Sequence, residues 1–320
     1  MKNKIISKQS IRKEFDYLKK TSYLGINGVL RIDSGIPGPV FGITICTHGN
    51  EIAGIAAINY LRNIYKIDKK LLCGSVIIVI NNLKAAEKAI KAKTEIGKLK
   101  SRYIDLNFNR LPKSLPKIDK DSRYEVSRAQ ELLPIWEMFD VALDIHSTVQ
   151  DNPPMIIASD NLDYNLIRGF PIKTVITNIV KVQIGAPAFS YYGGKKKIQT
   201  IEIESGQHNK ASSKTVAVKS ILSIMRELKM IKGRSKYKKK TFEEYYVHGS
   251  VIFPDKNATL SRIFRDFEVV KKGEKLAVIN NKSIEAFEDS CILMAPKGLK
   301  PVKVGEEAIF LSKPVNKKTI

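Results

Sequence analysis

Two short stretches hold residues whose types and spacing could do chemistry together. In the first, the apolar, partly β-branched run Ile43-Thr44-Ile45-Cys46 ends in Thr47-His48-Gly49-Asn50-Glu51. This pattern predicts a buried strand, a glycine turn and a helix start, with Asn50 as N-cap of the apolar segment from Ile52 to Tyr65. His48 and Glu51, three apart across the turn, can converge on one point at the carboxyl end of a strand, where open α/β sheets bind their ligands. Two of the three protein ligands of a catalytic zinc have this form. Taken alone, the stretch is better read as an ordinary solvated turn.

The second stretch changes that balance. Val141-Ala142-Leu143-Asp144-Ile145-His146-Ser147-Thr148 is another apolar strand ending in a histidine. Period-2 alternation puts Asp144 on the same face as His146, where a carboxylate can orient a ligating imidazole. The chain has four histidines, and two of them end apolar strands beside carboxylates. His48, Glu51 and His146 make the two-histidine, one-glutamate set of a catalytic zinc site, with the fourth position left for water.

Several elements must position these groups. Val76-Ile77-Ile78-Val79-Ile80 is a continuous apolar run, as expected of a strand covered on both faces and hence of a largely parallel central sheet. Ser122 with Glu125 forms a capping box, opening a helix with Val126, Ala129, Leu133 and Trp136 at helical spacing and with Pro134 as a kink or early break. Strands are expected near 155–158 and 174–177, followed by a long loop from Lys181 to Lys197. Ile198–Ile203 reads as a strand, and Ser212 or Ser213 as the cap of a final helix carrying Val218, Ile221, Leu222, Met225 and Leu228 on one face. Glu202 and Glu204 share one face of that strand. Glu204 is nearer its carboxyl end, whereas Glu202 is deeper and must be paired, with a Lys or Arg of the sheet's flanks as the expected partner. The basic run Lys232–Lys240 marks a domain boundary, beyond which short β-like segments and the echoing turns 270–274 and 302–306 suggest a small twofold-like β barrel.

With 320 residues, 43% of them hydrophobic, the chain can bury a full α/β core and still form a smaller second domain. The expected domains are residues 1–232 and 241–320. Three separated cysteines, Cys46, Cys73 and Cys291, suggest neither a disulfide framework nor a cysteine zinc site, and a reducing compartment fits best. No signal-like core and no membrane-length apolar stretch is present, so a soluble cytoplasmic protein is expected. The net charge of +23 comes from lysines scattered along the whole chain. That reads as solvated faces, with acidic substrates favoured, and no accompanying motif points to nucleic acid.

His48-Gly49-Asn50-Glu51, Arg102-Tyr103-Ile104-Asp105 leading to Asn109-Arg110, and Asp144-Ile145-His146-Ser147 occur in the order used by the succinylglutamate desuccinylase/aspartoacylase family. The chain resembles that family from about Gly28 to near its end. The resemblance implies a zinc-carboxypeptidase-like α/β fold and one zinc per chain. It implies hydrolysis of an amide bond in a small acidic N-acyl amino acid. It makes Glu204, in a Glu-x-Gly context, the catalytic base, Arg102 a carbonyl or oxyanion contact, and Asn109 with Arg110 the clamp for the substrate's α-carboxylate. A guanidinium fork suits that last task, because it matches a carboxylate bidentately and stays charged. By the same resemblance the loop with Tyr191, Tyr192 and Lys195–Lys197 lies where relatives bind the acyl group, although a solvated charge run explains those lysines equally well. His208 and His248 are expected to be hydrogen-bonding or surface residues. Many relatives read Asp-Leu-Asn-Arg where this chain has Asn107-Phe108-Asn109-Arg110, which removes a carboxylate near the site. The alternatives are a metallocarboxypeptidase acting on peptides and a non-catalytic zinc-holding binding protein; the presence of both Glu204 and Arg102 argues against the latter. A homo-oligomer is compatible with the sequence.

Overall fold

The computed structural model describes residues 7–118, 121–159, 162–233, 239–296, 298–300, 304–315 and 317–320. The basic run 232–240 and the turn 302–306 lie partly outside the described residues. Two compact units result. The first comprises Met1–Lys173, Gly185–Lys240 and Thr319–Ile320, the second Thr174–Ile184 and Thr241–Lys318.

The first unit is built on a mixed sheet of six strands: β1 Val29–Asp33, β2 Val40–Ile45, β3 Ser75–Ile80, β4 Val141–Thr148, β5 Met155–Ala158 and β6 Gln199–Gln207. Their spatial order is β1-β3-β2-β4-β6-β5. The pairs β3/β2, β2/β4 and β4/β6 are parallel, while β1 and β5 run antiparallel to their neighbours. All six residues of β3 are buried, as the unbroken apolar run requires of a strand covered on both faces. Five helices matter here: α1 Lys8–Lys20, α2 Ala53–Tyr60, α3 Leu83–Lys91, α4 Tyr124–Trp136 and α5 Ala211–Glu227. α2 passes into a π-helical turn, Leu61–Tyr65, which ends at Lys66 with a left-handed φ of 58°.

Three expected caps are not made. Ile52 takes the N-cap position of α2 with no side-chain bond, because the Asn50 amide nitrogen is turned toward His208 Nε2 at 3.4 Å. Arg123 precedes α4, and the Glu125 carboxylate faces another loop altogether. Lys210 precedes α5, while the Ser213 hydroxyl is buried against Ser205 Oγ at 2.7 Å. In each case the polar side chain is taken up by a partner outside the first turn of its own helix. Pro134 lies in the last turn of α4, which ends two residues later at Trp136.

In the second unit Val269–Val270, Ser290–Leu293, Glu307–Pro314, Thr241–Ile252 and Thr174–Thr177 pair in that order, the last pair being parallel. A separate antiparallel sheet joins Thr259–Leu260, Lys275–Ile279 and Lys282–Glu285. Phe253, Leu260, Phe264, Leu276, Ile292 and Ile309 are among the residues of its apolar core.

Candidate active site

β2, β4 and β6 lie side by side and parallel, so their carboxyl ends fall together. β2 ends at Ile45, and Cys46 takes a φ of 53°, a left-handed conformation that is unusual for a residue with a side chain and turns the main chain sharply away from the sheet. His48 and Glu51 follow on that turn. Gly49 sits where a Cβ would come within 2.5 Å of the main chain at Ala85 and Ser101, so only glycine lets the turn pack this closely. His146 lies near the end of β4, directly opposite Glu204 of β6, and Asp144 is opposite Glu202 one pleat deeper.

The three proposed ligands converge. His48 Nδ1 is 2.8 Å from Glu51 Oε1, His146 Nδ1 is 2.8 Å from Glu51 Oε2, and the two rings stand 5.0 Å apart. All three side chains are buried, and their ligand atoms lie within 4.8 Å of one another. His146 Nδ1 is not aligned to hydrogen-bond the carboxylate it nearly touches. A buried ring nitrogen without a hydrogen-bond partner, next to a carboxylate oxygen, suits a metal ligand better than an ion pair. The set fits a metal ion. Burial pushes the Glu51 carboxyl up, but the two imidazoles outweigh it and hold the group well below the usual range. Burial likewise opposes a proton on His146, yet Glu202, Glu51 and Asp144 together raise its affinity well above that of a free imidazole. His48 is lowered to about 4 by burial and by Arg102.

Behind these three side chains stands a buried polar layer. Asp144 Oδ2 is 3.5 Å from His146 Nε2, and Asp144 also accepts hydrogen bonds from Thr47 Oγ1 at 2.9 Å and from the Tyr192 hydroxyl at 3.2 Å. Asn81 Nδ2 donates to both Thr47 Oγ1 and the Tyr192 hydroxyl at 2.9 Å. Tyr192 is 3% exposed and packs against Trp136 and Phe139, so it supports the site from within and cannot reach out to an acyl group. The Tyr191 hydroxyl donates to the Pro112 carbonyl, and Lys195–Lys197 are exposed, with Lys196 3.3 Å from Asp140.

Glu204 is raised to about 8 by burial and by the charge of Glu51, and its Oε2 makes no hydrogen bond. Gly206, at φ 105°, gives the main chain just beyond it a conformation closed to most residues. Ser205 Oγ donates to the His146 carbonyl at 2.7 Å and so ties β6 to β4. Glu202 Oε2 is 3.7 Å from His146 Nε2 and accepts from Asn109 Nδ2 at 3.5 Å; burial raises it to about 7, against the opposing charges of His146 and Arg110.

Residues 102–110 arrive as one loop. Arg102 Nη1 donates to Glu51 Oε1 at 2.9 Å, with its side chain 38% exposed at the rim of the cluster. Asn107 Oδ1 lies 2.9 Å from His48 Nε2, so an amide stands where the sequence left a carboxylate missing. Asn109 is buried; Arg110 is partly exposed, and its Nη1 donates to the Asn109 carbonyl. Glu125 shapes this loop. Its buried carboxylate accepts the backbone N–H groups of Ile104, Asp105 and Leu106 at 2.6, 2.9 and 3.0 Å, and Asn82 Nδ2 at 3.0 Å. His208 is lowered to about 4 by burial, and its Nδ1 lies 2.8 Å from Ser147 Oγ, next in the chain to His146. Sequence reasoning marked Asn107 only as the loss of a carboxylate near the site, and it missed the contact of Asn107 with His48, the loop-holding role of Glu125 and the structural role of Tyr192. The pairing of Glu125 with residues 104–106 crosses loop and helix, and nothing in the local pattern announces it.

Fold and site together define an α/β protein with a cluster of two histidines and a glutamate that could hold a metal ion, gathered at the carboxyl ends of parallel strands. The sequence profile of the succinylglutamate desuccinylase/aspartoacylase catalytic domain matches residues 37–224, and the chain belongs to that family. Members of the family are hydrolytic deacylases. A search of curated proteins returned no match. Among solved structures the chain is similar to succinylglutamate desuccinylase from Chromobacterium violaceum, with 14% identity, a TM-score of 0.65, and coverage of 97% of this chain and 98% of that one. It is similar also to succinylglutamate desuccinylase from Vibrio cholerae, at 16% identity and a TM-score of 0.66 over 90% and 86% of the two chains. A product-bound ectoine utilization protein, EutE (DoeB), from Ruegeria pomeroyi shares 18% identity and a TM-score of 0.61 over 89% and 88%. At such identities the likeness speaks to the fold, which is the α/β architecture expected from the sequence. Among the described residues no helix is long and apolar enough to cross a membrane.

Proposed function

We propose that this chain is a zinc-dependent amide hydrolase that removes the acyl group from a small acidic N-acyl amino acid in the cytoplasm. The observation that carries the proposal is the convergence of His48, Glu51 and His146 on one buried point, with Glu204 in register opposite His146. Zinc bound there would supply a Lewis acid for the scissile carbonyl and for the attacking water. Glu204, whose raised proton affinity a cation held at the triad would lower, has an oxygen left over from the hydrogen bonding, and in its ionised form it takes a proton from that water and returns it to the leaving amine. Arg102, already beside Glu51, turns its guanidinium to the developing oxyanion. Arg110, at the partly exposed end of the same loop, grips the α-carboxylate with Asn109 beside it. The first unit is the hydrolase domain, and the carboxyl-terminal β segments form a second one.

The test is a panel of N-acetyl and N-succinyl amino acids offered to zinc-loaded protein, with the freed amine detected, alongside metal analysis of wild type and His146→Ala. Release of amine by the wild type alone, together with loss of zinc in the variant, is expected. Equal zinc content in both proteins would remove the site, and turnover of α-amidated substrates as fast as free acids would remove the clamp.

A further inference from the structure

We propose that Asn107 prepares His48 for a metal ion, by accepting its Nε2 proton and so leaving Nδ1 as a bare lone pair turned toward Glu51. This inference rests on the metal-site reading above. Asn107 Oδ1 is 2.9 Å from His48 Nε2 and also accepts the backbone N–H of Asn109 at 3.0 Å. A side-chain amide can be turned either way round, but a backbone N–H bonds only to an acceptor, so the oxygen is the end that faces both. His48 Nε2 must therefore be the donor. A neutral imidazole has a single proton, and once it is spent on Asn107, Nδ1 has only its lone pair, 2.8 Å from Glu51 Oε1. Two acceptors then face each other across a buried gap, and a cation between them turns repulsion into ligation.

Asn107 is well placed to hold this tautomer. It is 4% exposed, caps the short helical turn Phe108–Arg110, and follows directly on the three backbone N–H groups that Glu125 gathers. The two imidazoles are held differently. His146 Nε2 faces the carboxylates of Asp144 at 3.5 Å and Glu202 at 3.7 Å, whereas His48 Nε2 faces a neutral amide. An amide accepts the proton without adding a further negative charge to a pocket that already holds Glu51, Asp144, Glu202 and Glu204. Asn107 touches neither substrate nor metal in this scheme; it is a positioning residue that acts through His48.

The experiment compares zinc affinity, by competition with a chelator, in wild type, Asn107→Ser and Asn107→Asp, together with the exchange-protected Nε2–H resonance of His48 in the zinc-loaded proteins. Serine can still cap the Asn109 N–H but is too short to reach His48, so loss of the contact is separated from loss of the turn. Asn107→Ser is expected to bind zinc about 10- to 100-fold more weakly and to lose the protected resonance. Asn107→Asp, which keeps an acceptor oxygen in the same place, should stay within about tenfold of wild type and retain the resonance. Wild-type affinity in Asn107→Ser, or a fully exchanging Nε2–H in the zinc-loaded wild type, would overturn the inference while leaving the metal site standing. A wild type that takes up no more zinc than His146→Ala would overturn both.

Discussion

Glu125→Gln should detach the active-site loop, although Glu125 touches no ligand and differs from glutamine by one atom. The wild-type carboxylate presents two oxygens to four donors: Oε1 takes the Ile104 N–H and Asn82 Nδ2, and Oε2 takes the Asp105 and Leu106 N–H groups. Glutamine keeps one oxygen. Whichever way its amide turns, an NH₂ group then faces two donors inside the fully buried Glu125 site, although the residues carrying the main-chain donors are themselves partly exposed. Leaving one buried donor unsatisfied costs about 1–3 kcal/mol, and with partial access to water the two together should cost about that much, a sizeable part of the roughly 5–15 kcal/mol that stabilises a typical domain. The loop can escape part of that cost by moving, which would carry Arg102 and Asn107 away from Glu51 and His48. Urea unfolding of the metal-free protein, with chelator titration of the zinc-loaded one, should therefore show both lower stability and weaker zinc binding. Ser122→Ala is the control. Were Ser122 and Glu125 a capping box, that change would cost about 1 kcal/mol; with Arg123 before the helix it should cost almost nothing. A Glu125→Gln protein with wild-type unfolding and zinc affinity would refute the reasoning.

Glu204→Gln is expected to keep fold and zinc but to lose about a hundred- to ten-thousandfold in rate at saturating substrate, whereas Glu202→Gln should act mainly on the melting temperature. An active Glu204→Gln beside a well-folded, inactive Glu202→Gln would reverse the assignment. Arg110→Ala should lower kcat/KM by about a hundredfold or more, with little rescue by Arg110→Lys because a point charge lacks the fork; a Lys variant near wild-type kcat/KM would refute bidentate binding. His208 is held to about 4, below its ordinary value near 6.5, so the unfolded chain takes up a proton there that the native protein refuses. Its contribution is complete above about pH 6.5 and falls away as pH drops toward 4, by up to about 3 kcal/mol. In unfolding measurements between pH 8 and 5 on metal-free protein, His208→Gln should flatten that slope, and curves parallel to wild type would remove His208 as its source.

The convergence of His48, Glu51 and His146 was legible in the sequence because its information is local. Strand ends, a glycine turn and period-2 alternation decide within a few residues which way His48, Glu51, Asp144 and His146 point, and the order of the motifs supplied the rest. The same alternation put Glu202 and Glu204 on the side of the sheet that faces His146, and the unbroken apolar run at 76–80 announced a strand buried on both faces.

What the polar groups around the triad do was decided only by the tertiary structure. Glu125 looked like half of a capping box, Asn50 and Ser213 like caps, and Tyr192 like a hand reaching for substrate. Each instead satisfies a partner outside its own turn: residues 104–106, His208, Ser205, and Asp144 with Asn81. A helix cap is a modest gain that water can replace, whereas a buried donor or acceptor without a partner loses its water and regains nothing. The stronger demand wins, and its partners are set by how the sheet and loops come together, so no local pattern records them. Asn107 belongs to this second kind: its amide meets His48 only because Glu125, on a later helix, holds the loop between them.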